Sequence, residues 1–303
     1  MYFSEDIVTM SYDKSKHKTK LREKARALLR KLRLIMKVRM LRPDLFFYLG
    51  DGASDYGRQL QRLVRADRFI GFCQHPELES TSSSNDVTLV YSPRTNRRAE
   101  YLEVLEILRP FGAADCFCLD EPLLRVPLQR RLGLLARLGH RGEPFVGIHL
   151  SARRSRQKWP LEYFEELIRS LVFVGSGAPI LITWAPGDDL NRDHPGDDAM
   201  ALDLQRRINF HPLVYFHATK SLDDLLVAQS NCKLILCSDG GAMHTAAALG
   251  IKLIAMFGDS DPVRWQPIGD EHFLIQAQHQ DVRNFQPVQA LEAILEFLSH
   301  DPH

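Results

Sequence analysis

The residues best suited to chemistry lie in one stretch, Cys237-Ser238-Asp239-Gly240-Gly241-Ala242-Met243-His244, which runs on through small residues to Gly250. An apolar run, Leu234-Ile235-Leu236, precedes it, and a second, Leu253-Ile254-Ala255-Met256-Phe257, follows. This spells strand, glycine turn, helix start. Such a turn lets backbone approach an anion while the first helical N–H groups point at it. Asp239 and His244 flank the turn, where they could hold the rest of a nucleotide. The pattern predicts phosphate binding at Gly240 and Gly241.

The elements around this turn predict how it is carried. From Phe145 onward the chain alternates apolar strands with helices: strands at 145–150, 179–184, 213–216 and 234–237, helices near 160–174, 198–208 and 221–230. Repeated β-α units imply a parallel sheet covered by helices on both faces. Such sheets bind ligands at the carboxyl ends of their strands. Three chemically rich segments, 149–159, 184–189 and 238–244, fall at those ends, which predicts one nucleotide-sized crevice. The loop Gly139–Pro144 marks a boundary, giving an N-terminal domain over 1–142 and a nucleotide-binding domain with a C-terminal helix over 143–303. Within the first, strands are expected near 44–49, 69–72 and 87–91, and helices at 20–40, 56–64, 97–111 and 127–138.

The helix at 20–40 places Leu21, Ala25, Leu28, Leu29, Leu32, Ile35 and Met36 at helical spacing, with Lys and Arg on its other faces. Residues 1–42 hold 13 Lys/Arg against 4 Asp/Glu, a net of +9, while the remainder has a net of −8. A basic end on an acidic protein suggests contact with an anionic surface. The helix reads either as an ordinary domain helix with a solvated basic face or as a face that meets anionic lipid or an anionic acceptor; nucleic acid fits less well, because no aromatic stacking pattern accompanies the charge. No apolar run approaches the ~20 residues of a membrane span, and no signal peptide is visible at Met1–Asp13. Five cysteines without a repeating pattern read as reduced thiols of a cytoplasmic protein. Cys116-Phe117-Cys118 lacks further ligands at zinc spacing. Asp259-Ser260-Asp261 has the spelling of a metal-binding motif but sits at a strand end before a helix, so it reads as a structural turn. Trp159 and Trp265 read as packing residues.

Three segments in order carry a family resemblance: His149-Leu150-Ser151 through Lys158-Trp159-Pro160-Leu161-Glu162-Tyr163-Phe164; Asp239 to His244; and Met256-Phe257-Gly258-Asp259-Ser260-Asp261-Pro262 through Trp265-Gln266-Pro267. Together they resemble glycosyltransferase family 9, which contains the lipopolysaccharide heptosyltransferases. The resemblance is strongest over 145–267 and followable from 30 to 112. It implies a GT-B fold, two Rossmann-like domains facing across a cleft. It also implies an inverting transfer without metal or cofactor, from a nucleotide sugar such as ADP-heptose to a lipid-linked oligosaccharide. The expected protein is a monomer, peripheral at the inner face of the inner membrane.

By the same resemblance, the nucleotide sugar is contacted by Asp239, Gly240, Gly241, Met243 and His244. Ser151 matches a small hydroxyl residue of a second phosphate-binding loop. The segment Trp184-Ala185-Pro186-Gly187-Asp188-Asp189 reaches the adenosine or sugar, through Trp184 and Asp188. The chain departs from the family pattern at three places. Gly240 stands where a Ser or Thr is usual. Gln157 stands where a lysine is usual, leaving Arg156 or Lys158 to supply the charge. The family's N-terminal strand and Gly-Asp loop, about 50–60 residues forming a β-α-β unit, have no counterpart before the basic helix. That loop's aspartate resembles the general base, and Asp51 is the substitute available here. A non-catalytic relative that binds an adenine nucleotide without transferring sugar is the alternative reading.

Overall fold

The computed structural model describes residues 21–51, 55–73, 88–93, 99–109, 123–140, 142–173, 177–190, 196–269 and 272–299. The chain forms two compact units, Met1–Arg94 and Thr95–His303.

In the first unit, helix α1 (Leu21–Leu41) leads to strand β1 (Leu45–Asp51), helix α2 (Asp55–Val64), strand β2 (Arg68–Cys73) and strand β3 (Thr88–Pro93). The strands form a parallel sheet in the order β1-β2-β3. Phe46 and Phe69, paired in register across β1 and β2, stack with ring centroids 5.5 Å apart. Leu60, Val64 and Ala66 form a small buried cluster, with Val38 of α1 against it.

The second unit opens with helices α3 (Glu100–Leu108) and α4 (Leu128–Leu138). It therefore begins well before the boundary expected at 142. Leu134 of α4 shares a buried cluster with Phe145, Leu181 and Met243, so α4 belongs to the core that follows it. The region then alternates as its sequence periodicity predicts: β4 (Phe145–His149), α5 (Leu161–Phe173), β5 (Ile180–Trp184), α6 (Asp198–Arg207), β6 (Val214–Ala218), α7 (Leu222–Gln229), β7 (Cys232–Ser238), α8 (Gly241–Ala248) and β8 (Lys252–Phe257). A short helix α9 (Pro262–Trp265), a strand β9 (His272–Gln276) and helix α10 (Pro287–Ser299) close the unit. Strand β9 was not expected. Its residues are only partly buried, so it lacks the continuous apolar run that marks the central strands.

All six strands are parallel, in the order β6-β5-β4-β7-β8-β9. Every residue of β4 is buried, as a central strand covered on both faces requires. One face is covered by α5, whose Phe164, Leu167, Ile168 and Leu171 form a single buried stripe. Trp159 is buried in the same core, and its indole N–H donates to the Phe285 carbonyl at 2.8 Å. It is a packing residue, as its sequence context suggested. The chain winds one way from β4 to β5 and β6, then the other way to β7, β8 and β9. The order thus reverses between β4 and β7, the point where open α/β sheets leave a crevice beyond their strand ends.

Candidate nucleotide-sugar site

The loops after β4, β5 and β7 meet at that point. Ser238, the last residue of β7, donates through Oγ to the Gln157 carbonyl at 2.6 Å. Gln157 is buried in a single 3-10 turn, Ser155–Gln157. Its side-chain amide donates to Asp239 Oδ2 at 3.0 Å and to Ser260 Oγ at 3.3 Å. Ser260 Oγ in turn donates to the same Asp239 oxygen at 2.5 Å. The Asp239 N–H donates to the Met256 carbonyl. The aspartate is thus fixed from two segments that lie far from it in sequence, the 155–157 turn and residues 256–260. A Cβ on Gly258 would lie 2.2 Å from the Arg156 carbonyl oxygen, so only glycine lets the 155–157 turn seat this closely.

Above this hub lies the glycine turn. Gly240 is the N-cap of α8, and no side chain caps the helix there. A Cβ on Gly241 would meet nothing within 4 Å, and one on Gly240 only the Ser238 carbonyl at 4.0 Å. Packing among the described residues therefore does not demand glycine at either position. They leave open the approach to a helix start that carries unpaired N–H groups and a partial positive charge. His244 is exposed as a residue. Desolvation around its ring nevertheless holds its pKa below the ordinary histidine value, against the opposing pull of Asp239 and Glu100. Its neutral form is favoured, and a neutral imidazole can donate one hydrogen bond and accept another.

The other expected contacts fall into place unevenly. Ser151 Oγ accepts from the Ala185 N–H at 2.9 Å, tying the β4 loop to the β5 loop. Lys158 forms an ion pair with Asp197, Nζ to Oδ1 at 2.9 Å. Arg156 is exposed, and Arg154 reaches Asp259 at 3.5 Å. Trp184 donates its indole N–H to Asp198 at 2.7 Å, so it braces its own loop. Asp188 accepts from the Leu190 N–H and makes a local turn. The Met243 side chain is wholly buried in one cluster with Cys237, Leu253 and Phe257, because it lies on the face of α8 turned toward the sheet. It supports the turn from beneath. Asp51 ends β1 in the first unit, paired in register with Phe72. Its side chain lies outside the described residues.

The sequence reading passed over several residues. Ser260 belongs to the hub although it is 21 positions from Asp239. Asp261, beside it, accepts from the Val263 N–H and caps α9, the structural role expected of that motif. Arg264, buried, binds buried Glu103 at 2.6 Å and half-buried Glu100 at 3.2 Å, fixing α3 against the turn that follows β8. No local spacing signals a contact across 161 residues. Cys232 and Cys237 are buried free thiols whose pKa burial pushes up to about 12, so they are inert packing groups.

Comparison with known proteins fits this geometry. Residues 120–294 match the model of glycosyltransferase family 9 (heptosyltransferase). The chain belongs to that family. Among curated family relatives, it is 24% identical over 212 residues to lipooligosaccharide heptosyltransferase 2 of Haemophilus influenzae, covering 64% of this chain and 57% of that protein. It is 23% identical over 160 residues to lipopolysaccharide heptosyltransferase 2 of Salmonella typhimurium, covering 48% and 44%. The chain spans about half the length of these relatives. Among solved structures, ADP-heptose lps heptosyltransferase II of Escherichia coli superposes with a TM-score of 0.64 at 19% identity, covering 90% of this chain and 81% of that one. A family 9 glycosyl transferase from Veillonella parvula gives 0.70 at 14% identity, covering 94% and 81%. The fold is the GT-B fold of the family, as its sequence motifs implied.

Proposed function

We propose that the chain binds a nucleotide sugar of the ADP-heptose type at the β4–β7 crevice and transfers its sugar, with inversion and without a metal, to a lipopolysaccharide core acceptor. The observation that carries this is the uncapped, open N-terminus of α8 with Asp239 locked beside it. Departure of a nucleoside diphosphate builds negative charge, and a fixed helix start stabilises that charge without reorganising. Asp51 remains the candidate base for the acceptor hydroxyl. The chain would work as a monomer at an anionic inner-membrane surface, with α1 facing the lipid. In support, Leu29, Leu32, Met36 and Met40 of α1 are exposed beside Arg30, Arg33 and Lys37.

A second reading is nucleotide binding without transfer. It is favoured by Gln157, a neutral residue where the family pattern has a lysine. Calorimetry with ADP tests the shared part of both readings. Wild type binds, and Asp239→Ala weakens binding tenfold or more, about 1.4 kcal/mol. Equal affinity in the variant removes the site assignment. Turnover of an ADP-linked heptose with a core oligosaccharide acceptor then separates transfer from binding alone.

A further inference from the structure

Beside His244, a tryptophan and a carboxylate stand in solvent, both mounted on one buried cation. Trp265 ends α9, the short helix that follows the hub serine Ser260. Its sequence context suggested a packing role like that of buried Trp159. The structure separates the two: Trp265 is 41% exposed, and Val263 on the same helix is exposed with it. Glu100, in the first turn of α3, keeps 36% of its side chain in solvent. Both groups are therefore open to a ligand.

Arg264 holds the two in place. Its buried guanidinium donates to Glu100 Oε1 at 3.2 Å and to Glu103 Oε2 at 2.6 Å. The same group lies 5.9 Å from the centre of the Trp265 ring, within cation–π range. A planar guanidinium with contacts in several directions fixes carboxylate and ring relative to each other before any ligand arrives. The segment that carries them is fixed as well. Ser260 is bound into the Asp239 hub, and Asp261 caps α9 by accepting from the Val263 N–H at 2.9 Å. Glu100 also lies within electrostatic reach of His244, in the first turn of α8, as does Asp239. The α3–α9 wall thus borders the helix start that suits a diphosphate.

The chemistry of the wall narrows its ligand. Among the described residues Glu100 and Glu103 outnumber Arg264, so a further anion is disfavoured. A metal would need more ligands, and no cluster of three or more His, Cys, Asp or Glu side chains is placed to hold one among the described residues. A sugar ring satisfies both groups. Its apolar C–H face can cover an aromatic ring, and its hydroxyls can donate to a carboxylate. Ligand sites commonly pair an apolar or aromatic surface with a few fixed polar groups in this way. Position agrees with chemistry, because the group joined to a diphosphate in a nucleotide sugar is a sugar.

We propose that Trp265 and Glu100 form a pyranose-binding wall, Trp265 stacking on the sugar ring and the Glu100 carboxylate accepting from its hydroxyls. The assignment rests on the reading that the crevice takes a nucleotide sugar. The pyranose is either the sugar transferred or the sugar that receives it.

The test is calorimetry on the full chain with ADP, with ADP-heptose, and with a core oligosaccharide in the presence of ADP. It compares wild type, Trp265→Ala, Trp265→Phe and Glu100→Gln. If the transferred sugar occupies the wall, the gain of ADP-heptose over ADP falls about tenfold in Trp265→Ala, and oligosaccharide affinity is kept. If the receiving sugar occupies it, that gain is kept and oligosaccharide affinity falls about tenfold instead. Glu100→Gln is expected to lower the same quantity, and Trp265→Phe to restore most of it, since a smaller aromatic face still stacks. Trp265 is exposed, so Trp265→Ala is expected to keep the wild-type urea midpoint, and Trp265→Phe supplies a second check on folding. ADP binding with both sugar quantities unchanged in Trp265→Ala and Glu100→Gln overturns the wall and leaves the nucleotide site standing. So does a wild type that binds ADP but gains nothing from either sugar. A wild type that binds neither ADP nor ADP-heptose overturns the nucleotide-sugar reading itself and this assignment with it.

Discussion

The Gln157 side-chain amide lies 3.0 Å from Asp239 Oδ2, joining the loop after β4 to the glycine turn after β7 with a neutral donor. In the family pattern this position carries a lysine, which would add a positive charge at the helix start where a diphosphate is expected. Gln157→Lys should therefore tighten ADP binding by about tenfold, or 1.4 kcal/mol. The gain should shrink only slightly in high salt, because a charge at this buried position is weakly screened. Titration calorimetry at low and high ionic strength measures both. An affinity unchanged by the lysine would mean that this position does not face the phosphates.

The Arg264–Glu103 pair predicts a stability effect of a different kind. Both side chains are buried, and the guanidinium also reaches Glu100. Removing one partner of a buried pair costs about 3–5 kcal/mol where it leaves the other charge alone, and less here because Arg264 keeps its contact with Glu100. Glu103→Ala should lower the urea midpoint accordingly. Glu103→Gln, which retains a hydrogen-bond acceptor, should lower it less.

His149 sets an acid limit on the second unit. Burial lowers its pKa from 6.5 to about 4, with Asp197 pulling the other way. The unfolded chain binds this proton from pH 6.5 downward, while the folded chain refuses it until about pH 4. Stability contributed by the neutral ring is thus fully present above pH 6.5 and is lost as pH falls through that window, by about 3 kcal/mol in all. Urea midpoints measured from pH 7 to pH 4 should fall with this slope in wild type. They should be flatter in His149→Gln, whatever that variant's starting stability.

The exposed apolar residues of α1 predict a surface behaviour. Leu29, Leu32, Met36 and Met40 recur at helical spacing and stand in solvent, flanked by Arg30, Arg33 and Lys37. Vesicles rich in anionic lipid should sediment the protein at low salt and release it as salt rises. Leu32→Glu combined with Met36→Glu should reduce binding severalfold. Equal binding to neutral vesicles would count against an anionic lipid partner.

Legibility from sequence followed the range of each interaction. The β-α rhythm of residues 145–257 was readable because strand and helix periods are local, and the central strands are apolar on both faces. Strand β9, half-buried at the sheet edge, was not readable for the converse reason. The glycine turn was legible because strand, turn and helix start are contiguous. Met243 shows the limit of that reading: adjacency to a turn does not say which way a side chain faces, and the 3.6-residue period of α8 turned this one into the core.

The sequence by itself determined that three loop segments would stand at the carboxyl ends of parallel strands, since β-α alternation admits that arrangement and few others. It also determined the family, through motifs each confined to a few residues. Only the tertiary structure decided that β4 lies between β5 and β7, which brings those three loops together. It alone joined Gln157, Asp239 and Ser260 into one hub and turned Asp197 inward while Asp198 braces the loop after β5. These are hydrogen bonds between residues 11 to 82 positions apart. No local propensity encodes them. They form because folding places buried polar groups where each must find a partner or be left without one.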